Sequence, residues 1–446
     1  MQPVWELFRR RPIFAMALPV VVALGVQAMI KVPSDWLDPF VLAARIFLGG
    51  GDIYQGTSYL YPPVMALVTV PFTPLPDAVS RLAWYAINIA CIVGMLRSSW
   101  LLARGGKLQP IGVENRREWV VAGIGIACTA SYVLNTLAHQ QIDLIIDFLL
   151  IAGCLLLVRG GTIGGAVLIG LGAACKGPPL LFAPYLVFRR KWLSAGLVAV
   201  VGVGANLLPD FVVPPPGGQP RLLEWLQRLA LPTFNGAIGA WNGVTTANQS
   251  LAGTVKRLFT TALRSQPSDL AVIDSLHHPS ELLIKATAYG IMLALLVASV
   301  IVALRAQSVV RTQAQNQELP SQTALELGMM ATLVLLMSPM SSLAHLGALI
   351  LPAFCLSRIA VLTSDRLIAA ALVVAAVGAL CVNKDLVGGR AFTLLLWLGI
   401  ATLSMLAVWA GCAIALARGR VGAPVAGFSE SIFVFSRRGL AAELGR

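Results

Sequence analysis

Charge is what this chain has least of. Only 12% of its 446 residues are Asp, Glu, Lys or Arg, against 57% hydrophobic, where a soluble domain is about 25% charged. That balance excludes a soluble globular protein. It equally excludes disorder, which needs low hydrophobicity and high charge. Paired cysteines are missing too. Cys91, Cys128, Cys154, Cys175, Cys355, Cys381 and Cys412 fall nearly all inside apolar runs and form no CxxC, which argues for small lipid-buried side chains and against a disulfide framework or zinc site. No Walker A loop, dinucleotide-binding glycine pattern, HExxH or GxSxG elbow occurs, so nothing indicates ATP, a nicotinamide or zinc. No repeat relates the two halves, which counts against a transporter of two six-helix units.

Long apolar runs are what the chain does have. A spanning helix takes about 20 residues, and the runs near 12–32, 82–103, 118–137, 141–159, 162–176, 178–188, 193–211, 282–305, 323–342, 344–362, 366–382 and 392–416 predict twelve spans in one polytopic domain, 1–446. The short runs 162–176 and 178–188 flank Lys176-Gly177-Pro178-Pro179 and read as a broken or half-inserted pair. The net charge of +13 is read as cytoplasmic-loop arginine and lysine, not as a nucleic-acid surface. Arg9–Arg11, Arg104, Lys107, Arg116, Arg117, Arg159, Arg189–Lys191, Arg305, Arg311, Arg358 and Arg366 alternate with the spans as that rule requires. The expectation is an inner-membrane protein with both termini cytoplasmic and a cytoplasmic tail at 417–446.

Two long segments then fall on the extracytoplasmic side. Segment 33–81 holds an interfacial helix near 39–48, a turn at Gly49-Gly50-Gly51, and a second helix, 64–72, too short to span. Segment 212–281 opens on Pro214-Pro215-Pro216-Gly217-Gly218, contains Trp225 and Trp241, and suggests a few short helices capping the membrane domain.

Ionisable residues at a membrane are costly and default to function, and here they gather at the outer rim. Asp35 and Asp38, three apart, suit a general base or half of a metal site, or alternatively a capped helix start. Lys176, before two prolines, can hold a phosphate or snorkel to the interface. Asp143 and Asp147 enter an apolar helix after His139-Gln140-Gln141; a helix dipole accounts for Asp143 better than for Asp147. Asn248-Gln249-Ser250 forms an N-glycosylation sequon beside Lys256 and Arg257, where amides and cations suit sugar hydroxyls and phosphate. His345 follows Ser338-Pro339-Met340-Ser341 and is either an acid/base group or structural. Such a rim of acids, amides and cations suits a lipid-phosphate substrate.

In this order the segments resemble glycosyltransferase family 87, polyprenol-phosphate-dependent enzymes of the GT-C superfamily. The resemblance runs through Asp35-Trp36, Ala44-Arg45 to Tyr54, Tyr61-Pro62-Pro63, Leu75-Pro76, Trp84 with Asn88, Gln141-Ile142-Asp143, Lys176, the Asn-Gln-Ser-Leu run at 248–251, and Ser338 to His345. The family often has Asn where Asp143 stands, and paired His where only His345 is found. The resemblance implies an all-α integral membrane fold, a GT-C-like bundle of about twelve transmembrane helices with extracytoplasmic juxtamembrane helices. It implies inverting transfer of a sugar, mannose by preference, from a polyprenyl phosphate to a glycan or glycolipid acceptor on the outer face. Asp35, with Asp38 as alternative, would be the base and His345 a further catalytic group. Lys176, Arg45, Lys256 and Arg257 would hold the donor phosphate; Tyr61, Gln141, Asp143, Asn248 and Gln249 would contact sugar or acceptor. No cofactor is expected; Asp35 with Asp38 leaves a divalent metal open, and nothing else indicates one. A flippase or twelve-span transporter predicts ionisable groups near the midplane. A surface-glycan ligase or polymerase predicts outer arginine and histidine pairs, for which His277-His278 is a thin hint.

Overall fold

The computed structural model describes residues 21–27, 29–30, 34–105, 116–234, 245–265, 270–274, 279–310 and 319–422. Arg9–Arg11, Lys107, Trp241, His277-His278, Arg311, most of the 12–32 run and the tail beyond 422 lie outside them.

Each remaining apolar run forms a helix. They are Asp77–Ala103, Arg116–Ala127 with Ala130–Ala138, Asp143–Val158, Thr162–Cys175, Pro178–Phe188, Trp192–Val212, Glu281–Ala306, Gln322–Met337, Leu343–Thr363, Arg366–Cys381, Gly389–Leu398 and Ile400–Ala417. Five are long and apolar enough to cross a bilayer, and a sixth is added if the pair bent by 54° between Ala127 and Ala130 is one span. The chain is a multi-pass, all-helical membrane protein among the described residues, apart from one strand pair. Among the described residues, then, five or six helices have the length and composition of a full span, against the twelve expected, and the first expected run lies mostly outside them.

Two details depart from the sequence reading. The run 392–416 is two helices, broken at Gly399, whose φ of +78° is a left-handed cap that favours glycine. The second outer segment is not purely helical: Thr261–Ser265 pairs antiparallel with Leu270–Asp274, Thr261 opposite Asp274 and Leu263 opposite Val272. Alternation in Leu-Ala-Val-Ile-Asp, with two β-branched residues, is a strand signal that the neighbouring apolar helices overshadow.

Packing brings the site together through glycine. A Cβ at Gly153 would meet the Gly165 carbonyl at 2.8 Å, and one at Gly165 would meet the Gly153 carbonyl at 2.7 Å. Asp143–Val158 and Thr162–Cys175 thus cross backbone to backbone, a membrane packing mode that needs no side chain at the contact. The next helix repeats the device, with Gly170 against Val201. The crossing fixes Asp143, at the start of one helix, beside Lys176, at the end of the next.

The first outer segment folds over that end. Trp36 and Trp84 stack at 3.7 Å with Phe72 edge-on, and Phe40, Phe47, Ile53 and Tyr59 are buried with them against Ile142 and Ile146. An aromatic pair adds about 0.5–1.5 kcal/mol beyond its area. The second segment docks on the first. Fully buried Arg221 bonds Asp210 and the carbonyls of Val213 and Pro214, and lies 5.0 Å over the Phe47 ring. Arg228 pairs with Asp52 and Glu224, and Trp225 donates to the Leu60 carbonyl. Burial and then the charge of Asp52 raise the Glu224 carboxyl, only partly offset by Arg228.

Candidate functional site

Four helix ends meet beneath this aromatic cap. Asp143 begins one helix, Lys176 terminates another, Ser338 ends a third, and His345 lies in the first turn of a fourth. Together with Asp147, Ser341, Pro178 and Pro179 they line one cavity, whose deeper wall is Ile146, Leu150, Val334, Leu335 and Ala348.

The polar groups are closely coupled. Lys176 Nζ donates to Asp143 Oδ1 at 2.6 Å and sits 5.5 Å from the centre of the Tyr61 ring. His345 Nε2 is 3.9 Å from the same Asp143 oxygen. The other ring nitrogen, Nδ1, accepts the Ser342 N–H at 3.1 Å, which assigns the ring proton to Nε2, facing Asp143. Tyr61 Oη donates to Gln141 Oε1 at 3.0 Å. Burial, then the carboxylates of Asp143 and Asp35, hold the Tyr61 phenol well above its ordinary pKa, so it stays a neutral donor. Asp143 is 3% exposed and Asp147 5%, and the Oδ2 of each has no hydrogen-bond partner among the described residues. Both oxygens belong to residues that line the cavity, where a ligand could supply the missing partner.

Asp35 stands at the rim. Its Oδ2 is 2.9 Å from His139 Nδ1, both side chains being partly exposed. The turn that carries His139 is fixed from several sides. Ser34 Oγ donates to Gln140 Oε1 at 2.7 Å, Trp84 Nε1 donates to the Gln140 carbonyl, and Gln140 itself takes a left-handed φ of +54°. Asp38 is exposed and accepts from Ser58 at 2.8 Å.

The other expected residues lie elsewhere. Arg45 is a surface residue paired with Asp77 at 3.4 Å. Lys256, half-buried, faces Glu281. Arg257 is fully buried, and its donors go to the carbonyls of Trp397, Thr245, Asn248 and Leu396 and to Thr254 Oγ1. It therefore caps the helix Gly389–Leu398, where a cation offsets the dipole, and has no donor left for a phosphate. Burial lowers it from its ordinary value to about 10. Asn248 and Gln249 are buried as well. Asn248 Nδ2 donates to the Pro339 carbonyl and its Oδ1 accepts from Ser341 N, while Gln249 N donates to the Ser341 carbonyl. These amides brace the 338–342 loop from behind, and the buried sequon is not an accessible glycosylation acceptor.

Sequence reasoning missed His139 as the partner of Asp35, and named Asp147 without giving it a role. The signal for Asp147 was present: a carboxylate one turn beyond a helix start that the dipole does not account for.

A family model described as glycosyltransferase family 87 matches residues 59–339. A Mycobacterium tuberculosis protein described as a polyprenol-phosphate-mannose-dependent alpha-(1-2)-phosphatidylinositol mannoside mannosyltransferase is 25% identical over 196 residues, 40% of this chain and 44% of the relative. A polyprenol-phosphate-mannose-dependent alpha-(1-2)-phosphatidylinositol pentamannoside mannosyltransferase of Mycolicibacterium smegmatis is 22% identical over 174 residues, 35% of this chain and 40% of the relative. The chain thus matches less than half the length of either relative. The crystal structure of ArnT from Cupriavidus metallidurans bound to undecaprenyl phosphate superposes over 92% of this chain and 77% of that one, at 13% identity and a TM-score of 0.37, too low to bear on fold or function.

Proposed function

The chain belongs to glycosyltransferase family 87, and on that premise we propose that it transfers a sugar from a polyprenyl phosphate donor to a glycan or glycolipid acceptor at the cavity of Lys176, Asp143 and His345. One observation carries this reading. An enclosed lysine at a break between two membrane helices faces orphaned carboxylate oxygens, a neutral histidine and a tyrosine, which suits a phosphate and a hydroxyl-rich ring side by side. The matched relatives are described as mannose-dependent, which favours mannose as the sugar.

Asp35 takes the proton of the acceptor hydroxyl, whose oxygen attacks the anomeric carbon as the carbon–oxygen bond to phosphate breaks. The phosphate leaves with the electron pair, and Lys176 stabilises its growing charge. A phosphate is a weak base, so it needs a cation more than a general acid. His139, 2.9 Å from Asp35, orients the carboxylate and shares the proton it accepts. Tyr61, Gln141 and Asp143 offer hydrogen bonds to sugar hydroxyls. Inversion needs one base, so no second carboxylate has to act as nucleophile. Asp38, bonded to Ser58, is the alternative base. The arginine-rich helix ends opposite the site are read as cytoplasmic, which puts the reaction on the extracytoplasmic face of an inner membrane.

Purified protein in lipid, given radiolabelled polyprenyl-phosphate sugars and a lipid extract as acceptor, tests the reading. Asp35→Asn is expected to remain folded and to lose about 10²–10⁴-fold in transfer rate. Loss in Asp38→Asn instead moves the base along the chain. Donor movement across the bilayer with no transfer by the wild type supports a flippase and ends the proposal.

A further inference from the structure

The loop from which Tyr61 reaches Lys176 is held by aromatic donors on three consecutive carbonyls. Tyr59 Oη donates to the Pro62 carbonyl at 2.8 Å, Tyr54 Oη to the Tyr61 carbonyl at 3.2 Å, and Trp225 Nε1 to the Leu60 carbonyl at 3.1 Å. The two tyrosines belong to the first outer segment. Trp225 arrives from the second, 165 positions along the chain. The same indole reaches the other wall of the site. A Cβ at Gly177, between Lys176 and Pro178, would meet its Cη2 at 3.8 Å, an ordinary contact. One ring therefore lies between the loop that presents Tyr61 and the helix break that presents Lys176. Its polar edge is on the first and its apolar edge is against the second.

The indole is itself clamped. Arg221, Trp225 and Arg228 are spaced i, i+4 and i+7, one face of a helix, and all three engage the first outer segment. Arg221 lies over the Phe47 ring, Trp225 bonds Leu60, and Arg228 pairs with Asp52 at 2.9 Å. Leu223 and Leu226, on the opposite side, are exposed. The turn just after Trp225, Leu226–Ala230, is π-helical, a rare geometry that is frequent at functional sites.

What such a strut sets is a separation. A sugar phosphodiester spans the site, its phosphate at Lys176 and its hydroxyls at Tyr61 and Gln141. The polyprenyl phosphate left after transfer has no sugar and reaches Lys176 alone. As a monoester it carries about −1.5 to −2 charge at neutral pH, so a lone lysine would hold the product harder than the singly charged donor. We propose that Trp225 is a positioning residue that holds the Tyr61 loop against the Lys176 break, so that the site binds the sugar-bearing donor in preference to the bare polyprenyl phosphate. This rests on the donor class proposed above. Trp225 acts through Tyr61 and Lys176 and takes no part in the bond-making step.

The test measures Kd by calorimetry on the full chain in lipid nanodiscs, for a polyprenyl phosphomannose and for the polyprenyl phosphate of the same chain length. The wild type is expected to bind the sugar-bearing lipid more tightly. Trp225→Phe keeps a ring near Gly177 but loses the N–H to Leu60. It is expected to raise Kd for the sugar-bearing lipid about ten-fold and to leave that for the bare phosphate within about two-fold. A loss of fold would weaken both alike. In a Tyr61→Phe background the same substitution should raise Kd by less than about three-fold, because the group it positions is already gone. Trp225→Leu, which loses both the bond and the ring, should show at least the same selective loss and serves if Trp225→Phe does not fold. Equal weakening of both lipids, binding of the sugar-bearing lipid as tight as wild type in both Trp225 variants, or a wild type that prefers the bare phosphate each overturn the inference and leave the donor class standing. Failure of the folded wild type to bind the sugar-bearing lipid at all overturns the donor class and the inference with it.

Discussion

At one end of the bundle Glu326 has both carboxylate oxygens filled. Oε2 accepts from Tyr185 at 2.9 Å and from Arg189 Nε at 2.7 Å, and Oε1 accepts from Gln322 at 2.8 Å. At the other end Asp143 has one oxygen filled and one bare, and an oxygen of Asp147 is bare as well. All three groups are almost fully buried. Glu326 sits twelve residues before Ser338 on one helix, so a rise of 1.5 Å per residue puts about 18 Å between the two ends. Asp365 repeats the pattern of the far end, its Oδ1 accepting from the Leu367 and Ile368 amides and its Oδ2 from Arg418, whereas Arg358 fills only Oε1 of Glu118 and leaves Oε2 bare. The difference is one of completion. Glu326 and Asp365 are saturated by partners delivered with the fold, whereas Asp143 and Asp147, which line the cavity, are left short of them. Burial alone does not separate the two groups; the inventory of partners, read together with the cavity lining, does.

Four substitutions or conditions break or sharpen that contrast. Glu326→Gln strips the charge from a saturated acid and leaves Arg189 buried without it. It should cost about 3–5 kcal/mol of stability, seen as a lower melting temperature in detergent, while turnover per folded molecule stays unchanged. Lys176→Gln should do the reverse, lowering transfer about 10²–10³-fold with a melting temperature close to wild type; a melting loss as large as that of Glu326→Gln would put Lys176 with the structural ions. Arg257→Lys keeps the charge but loses the fork that caps Gly389–Leu398, and should cost about 1–3 kcal/mol in a thermal melt.

The smallest effect is one of pH. Burial alone raises the Asp365 carboxyl, but hydrogen bonds from Arg418 and from the amides of Ile368 and Leu367 outweigh it and hold the group below the usual carboxylate range. A depressed folded-state value means that the stabilisation is present above the ordinary value of about 3.9 and is lost as pH falls through the depressed one. Melting temperatures of wild type and Asp365→Asn should therefore differ at neutral pH and converge in acid.

The helices were legible because hydropathy is a local property: the apolar runs from 82 onward each became a helix within a few residues of their expected limits. The break at Gly399 was not, since it depends on Arg257 and Gln249 arriving from far along the chain to take the Leu396 carbonyl. Among the site residues, Lys176, Asp143, His345, Tyr61 and Gln141 stood out in the sequence and meet in space. Asn248, Gln249 and Arg257 stood out equally and turn inward instead, because amides and guanidinium groups satisfy buried carbonyls as well as they bind sugars and phosphate. Composition cannot tell those uses apart.

By itself, then, the sequence determined that the chain lives in a bilayer as a set of helices. Hydrophobic length settles that residue by residue, with no need of contacts. Only the tertiary structure decided which polar groups face one another. Asp35 and His139 are 104 positions apart, Tyr61 and Gln141 80, and Arg189 and Glu326 137. Whether a buried carboxylate ends up saturated or bare is a property of such distant pairs, and no stretch of sequence contains it.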